Sequence, residues 1–142
     1  MVIWIDEKLA VTPMPSDAEL EDLAGCFKAV AVLVETGELE YDLQAWARFG
    51  VKVKHLPIPD FGTPSLAELR ELADWITTET VNGSAVLVHC YAGIGRSGMV
   101  AAAYLVAKGC AVNAAIEHVK GRVHYALEHP EQVELVRQLA RI

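Results

Sequence analysis

No stretch of this chain is apolar for long enough to cross a membrane, since a span needs about 18 consecutive apolar residues and every apolar run here is broken sooner. The opening "MVIWIDEKLA" carries acids where a secretory leader carries basic residues followed by an apolar stretch. The cytoplasm is therefore the expected location, with no membrane partner. An excess of basic residues is also missing. Twelve lysines and arginines stand against nineteen acids, a formal net charge of −7. That excludes broad, sequence-independent nucleic-acid binding, which rests on many Lys/Arg–phosphate contacts. It leaves room for a local anion site, because a loop of backbone N–H groups and one arginine outweighs a distant negative surface. The three cysteines, an odd number, make no disulfide framework. Three glutamines and two asparagines leave few thermolabile amides. Repeats, low-complexity tracts and long linkers are absent, so residues 1–142 read as one globular domain, expected to be a monomer.

What is present alternates. "VIWI" and "KLAVTPMP" read as two short strands ending in a proline-rich turn. "SDAELEDLAG" is a helix with a Ser16/Glu19 capping box and Gly25 as its stop. "KAVAVLV" is a buried strand, "LEYDLQAWARFG" an amphipathic helix ending at Gly50, and "VKVKHLPI" a strand running into a loop at Pro57. A second capping box, Ser65 and Glu68, opens the next helix, and "SAVLVH" is the following strand. Asn113 is expected to cap a helix through about His118, and Pro130 to open a last one. This order predicts an α/β domain: a mostly parallel sheet of about four or five strands with helices on both faces.

The chemistry concentrates in "VLVHCYAGIGRSGMVAAAYLVA", Val86 to Ala107. Cys90 stands at the carboxyl end of a strand, where open α/β sheets place their ligands. The loop Tyr91, Ala92, Gly93, Ile94, Gly95 has glycines enough to turn its N–H groups inward, and the following helix adds its positive end. Arg96, six positions after Cys90, can fold back and offer two parallel donors to an oxyanion. The result is a bowl fitted to a tetrahedral dianion with sulfur at its floor. A helix N-terminus and an arginine favour thiolate over thiol. Ser97 can donate to the sulfur, and His89 fits a scaffold holding loop carbonyls better than a base.

"HCYAGIGRSG" is similar to the H-C-x5-R-[S/T] signature of the cysteine-dependent protein tyrosine phosphatases. Together with "PIPDFGTPS" upstream, it resembles the small atypical dual-specificity phosphatases of that superfamily, a likeness running from the first strands to "EHPEQ". The bare C-x5-R pattern is shared with rhodanese-like sulfurtransferases and arsenate reductases. The resemblance implies hydrolysis of phosphomonoesters on phosphorylated proteins through a phosphocysteine, without metal or organic cofactor. It implies Asp60 as general acid and then general base, and Gln132 as the residue positioning the hydrolytic water. The loop interior lacks the lysines that lipid phosphatases of the superfamily place there, so phosphotyrosine, with phosphoserine and phosphothreonine beside it, is the expected substrate. A phospho-binding module without activity, or an RNA 5′-triphosphatase, is the alternative. Val123, His124 and Tyr125 stand where relatives often read arginine-proline-glycine, which leaves any role of Arg122 open.

Other conspicuous residues read as structural. His118, His124 and His129 have no zinc-ligand spacing and are expected at the surface. Trp46 and Trp75 fall on apolar helix stripes. Cys110 lies past the far end of a helix of about 13 residues, roughly 20 Å long, too far for a disulfide to Cys90; Cys26 has no assigned role.

Overall fold

A computed structural model describes residues 1–141. Five strands form one sheet in the order β1-β2-β5-β3-β4. They are β1 (Ile3–Trp4), β2 (Leu9–Thr12), β3 (Ala29–Val32), β4 (Lys52–His55) and β5 (Val86–His89). β1 runs antiparallel to β2, and all the other pairings are parallel. The central strands β3 and β5 are buried along their whole length, as their near-continuous Val, Ala and Leu content requires of a sheet covered on both faces.

The helices are α1 (Leu20–Cys26), α2 (Ala45–Arg48), α3 (Leu66–Val81), α4 (Gly95–Ala107), α5 (Val112–Arg122) and α6 (Pro130–Ala140). From β2 the chain passes over β5 to β3 and on to β4, then returns to β5. Right-handed crossovers in opposite directions put α1 and α2 on one face and α3 on the other. α4 sits at the centre of the second layer, against α3, α5 and α6 and over β2 and β5. Its residues from Arg96 to Leu105 are all buried. Small side chains make that possible: a Cβ at Gly98 would stand 2.8 Å from the Ala126 Cβ. At the outer edge, Lys52 and Lys54 of β4 pair with Glu79 and Glu71 of α3 at 3.3 and 2.9 Å, which discourages edge-to-edge pairing.

Several boundaries differ from expectation. The helix expected over residues 39–50 is one turn, Ala45–Arg48. Tyr41 is drawn inward by buried hydrogen bonds to Trp46 and His89, which fixes residues 39–44 as turns. Gly25 does not stop α1, which ends one residue later. α5 begins at Val112 and reaches Arg122, well past His118. Asn113 lies inside its first turn, accepting a hydrogen bond from Arg137 rather than capping. The Ser65/Glu68 box forms as expected, at 2.9 and 3.1 Å.

The parallel register aligns Thr12, His89, Val32 and His55 in one row at the carboxyl end of the sheet. The loops leaving that row bring Pro13, Cys90, Glu38 and Asp60 to the same end of the molecule.

Candidate active site

Cys90 directly follows β5 and is almost fully buried, with Ser97 Oγ donating to its Sγ at 3.1 Å. Carbonyls on both sides of it are met by donors from neighbouring segments and from the helix. His89 O accepts from Leu33 N–H at 3.0 Å, Tyr91 O from Met14 N–H at 2.9 Å and Ile94 O from Gly98 N–H at 2.8 Å. Among the described residues nothing accepts from the N–H groups of residues 91 to 96. Six consecutive donors without acceptors at the head of α4 form an anion cradle, to which the helix adds its positive end. The Cα of Gly93 forms the back of this cradle. Its φ is +79°, and a Cβ there would meet Pro13 N at 2.7 Å and the Thr12 carbonyl carbon at 2.9 Å.

Arg96 lies beside the cradle, 3% exposed. Its Nη1 donates to Glu38 Oε2 at 2.9 Å and to Ile58 O at 2.8 Å, and its Nη2 donates to Glu38 Oε1 at 2.9 Å. A guanidinium has five N–H donors. This pattern leaves the Nε–Nη2 edge to receive an oxyanion while Glu38 fixes the plane. Burial pushes the Arg96 pKa down, but Glu38, Cys90 and Asp60 raise it on balance, so the charge is permanent. The Arg96 bonds in turn hold the Glu38 carboxylate below its ordinary range.

Asp60 stands on the loop after β4 in a turn closed by Gly62 N–H to Pro59 O at 2.8 Å. Its side chain is 61% exposed, with Oδ1 3.5 Å from Arg96 Nη2. Asp60, Phe61, Cys90, Tyr91, Ala92, Ile94, Gly95 and Arg96 share a cavity of about 280 Å³ with Tyr125, Glu128, His129 and Gln132. Gln132 is buried at 1% exposure. Its Nε2 is 3.5 Å from Gly62 O, and its Oε1 has no partner. An unpartnered buried amide oxygen on a cavity wall invites a donor from the cavity.

The expected residues are therefore brought together, and one other residue changes place. His129 lines this cavity, edge-on to Phe61 with ring centroids 5.4 Å apart, instead of lying free on the surface. Arg122 lies elsewhere, in a hollow beside Trp4 and Lys108. Cys26 and Cys110 are exposed free thiols.

Sequence reasoning missed the segment after β3. Besides Glu38, Glu40 accepts a hydrogen bond from the Tyr91 hydroxyl, and Tyr41 meets His89. Trp46 Nε1–H only donates, so at 2.8 Å it occupies an acceptor site of the Tyr41 oxygen. The Tyr41 hydroxyl then donates to His89 Nε2 at 2.7 Å, and His89 Nδ1–H donates to Cys90 O at 3.0 Å. Burial pushes Tyr41 up to about 12, which keeps this proton in place. Burial lowers His89 to about 4, against the pull of the Cys90 carbonyl. The signal that would have found these groups is topological: their loop leaves the same carboxyl edge as Cys90.

His89 carries a pH signature. Its folded pKa lies below the unfolded value of about 6.5, so on acidification the unfolded chain takes up a proton that the folded chain refuses. Stability is unaffected above about pH 6.5 and falls between there and about pH 4, by about 3 kcal/mol in all. Thermal midpoints measured from pH 7 to 4 are expected to show that decline, and His89→Asn, lacking the titrating ring, to flatten it.

The family model described as polymorphic toxin system, DSP-PTPase phosphatase, matches residues 12–110. Human cyclin-dependent kinase inhibitor 3 is 36% identical over 94 residues, covering 62% of this chain and 44% of that protein. The phosphatidylglycerophosphate phosphatase PTPMT2 of Arabidopsis thaliana is 34% identical over 95 residues, covering 64% and 42%. The chain thus spans less than half the length of these two relatives. The crystal structure of Tk-PTP in its active form superposes with a TM-score of 0.94 at 40% identity, covering 99% of this chain and 96% of that one. With the family model spanning both the Cys90 loop and the Asp60 loop, the chain belongs to the DSP-PTPase phosphatases.

Proposed function

We propose that residues 1–142 act as one catalytic domain that removes phosphate from phosphorylated proteins, phosphotyrosine foremost and phosphoserine and phosphothreonine with it. The observation that carries this reading is the cradle: unpartnered N–H groups from 91 to 96 above a buried cysteine, with the Nε–Nη2 edge of Arg96 making no hydrogen bond. Loop N–H groups and Arg96 bind the non-bridging phosphate oxygens. Cys90 thiolate, its charge answered by the α4 N-terminus, Arg96 and the Ser97 hydroxyl, attacks phosphorus. As the S–P bond forms, the bond to the leaving oxygen breaks, and that oxygen takes the proton of Asp60. In the second step water attacks phosphorus, guided by Gln132 Oε1, and gives a proton to the Asp60 carboxylate. The P–S bond breaks, inorganic phosphate leaves and the thiolate returns.

The relatives include a lipid phosphatase by name, so the choice of protein over lipid rests on this chain's own residues. The loop interior has no lysine, and the cavity lining sets Glu128 against Arg96, whose charge Glu38 already meets. That lining suits one phosphate and disfavours polyanionic lipid headgroups and triphosphate RNA ends. Among the described residues no helix is long and apolar enough to cross a membrane. Three free thiols suit a reducing cytoplasm.

Release of phosphate from p-nitrophenyl phosphate and from phosphopeptides, with EDTA present, tests the reading. Turnover that persists in EDTA supports it, whereas phosphopeptide binding without turnover would favour a binding module. Glu38→Gln is expected to lower kcat/KM about tenfold or more, because the Arg96 fork loses the partner that sets its plane. The same variant is expected to melt at lower temperature, since a buried guanidinium loses its counter-charge.

A further inference from the structure

The turn between α5 and α6 borders the same cavity, yet the reaction above takes nothing from residues 123 to 129. That turn is held firmly. Val123, Ala126 and Leu127 are each no more than 2% exposed, and Ala126 closes on Gly98 so tightly that no Cβ fits between them. Tyr125 and Leu127 take left-handed backbone angles, φ +66° and +58°, which side chains bearing a Cβ rarely adopt. The anchored residues fix the three on the cavity wall: His129, whose ring packs edge-on against Phe61, and, with their polar ends free, Tyr125, 71% exposed, and Glu128.

Neither the Tyr125 hydroxyl nor the Glu128 carboxylate has a hydrogen-bond or ion-pair partner among the described residues. Among the described residues the only lysine or arginine lining the cavity is Arg96, turned to Glu38 and Asp60. A carboxylate and an exposed aromatic ring on one rigid turn and one cavity wall, with no lysine or arginine among the described residues paired to the carboxylate, match an ammonium or guanidinium group. The cradle offers short-range donors to one phosphate at its floor, while Glu128 makes the mouth negative. The two signs together select a single phosphate with positive surroundings.

We propose that Tyr125 and Glu128 form a subsite for the arginine or lysine side chain of a residue neighbouring the phosphorylated one in a protein substrate. This rests on the phosphatase reading above and adds the sequence context that the site prefers. Because the turn is already fixed, the subsite requires little ordering on binding. A glutamate or a second phosphate in the neighbouring position meets repulsion from Glu128.

Three phosphotyrosine peptides of equal length, with arginine, alanine or glutamate on both sides of the phosphotyrosine, test the subsite. At low ionic strength kcat/KM for the arginine peptide is expected to exceed that for the alanine peptide about tenfold, with the glutamate peptide lowest. The spread is expected to shrink as salt shortens the screening length. Glu128→Lys is expected to reverse the order. Tyr125→Asn, which keeps a residue tolerant of left-handed angles, is expected to weaken the arginine preference about threefold. Each ratio compares two peptides on the same protein, so a general loss of activity in a variant cancels. Equal kcat/KM for the three peptides, or a preference for glutamate, overturns the subsite and leaves the phosphatase reading standing. Turnover of p-nitrophenyl phosphate but of no peptide also overturns the subsite. No turnover of any of these substrates overturns both readings.

Discussion

Cys90→Ser is expected to abolish phosphate release, lowering kcat/KM by about 10⁴-fold or more. The substitution removes little volume and keeps a hydrogen-bonding atom within reach of Ser97. The cradle donors and Arg96 are untouched, so binding of inorganic phosphate measured by calorimetry is expected to survive. What disappears is an atom that is a nucleophile without a base. A serine hydroxyl needs its proton removed, and the adjacent histidine is in no position to do so. His89 Nε2 is occupied by the Tyr41 hydroxyl and its Nδ1–H by the Cys90 carbonyl, and burial holds its pKa near 4. Substantial turnover by the serine variant would show that the reaction does not pass through this side chain.

Asp60→Ala is expected to lower kcat by about 10²- to 10⁴-fold on substrates whose leaving group needs a proton, such as phosphoserine peptides. The loss is expected to be smaller with p-nitrophenyl phosphate, whose leaving group departs readily as an anion. A plot of log kcat against leaving-group pKa is expected to be steeper for the variant than for the native chain. Asp60 is 61% exposed and makes its hydrogen bond within its own turn, so the thermal midpoint is expected to stay put. Equal activity of variant and native chain across all leaving groups would place the acid elsewhere, with Glu128 the other carboxylate on the cavity wall.

The order of strands and helices was legible because apolar runs, capping boxes and prolines are local signals. Ser65, Glu68 and Pro130 do in the structure what their positions implied. The loop around Cys90 was legible for the same reason, since Cys90, Arg96 and Ser97 lie within eight residues. The supporting residues were not. Glu38 and Tyr41 act across 58 and 48 residues of sequence, on Arg96 and His89. Their segment carries an apolar pattern that also fits a helix, and tertiary hydrogen bonds overrode it. Gln132 stood in helical register as readily for a solvated residue as for a buried one. Only the packing of α6 against α4 decides for burial. The left-handed angles at Phe61, Tyr125 and Leu127 had no signal at all, since none of the three is a residue that favours them. Two of them, Phe61 and Tyr125, line the cavity.

The central claim is that phosphate passes through sulfur. The most direct measurement is to mix the chain with excess aryl phosphate, quench in acid within milliseconds, digest, and weigh the peptide that contains Cys90. The expected result is a fraction of that peptide heavier by about 80 Da, the mass of a phosphoryl group. The fraction is expected to rise in Gln132→Ala, where the hydrolytic water is less well placed, and to vanish in Cys90→Ser. Continued turnover with no such species on Cys90, in the native chain and in Gln132→Ala alike, would contradict it.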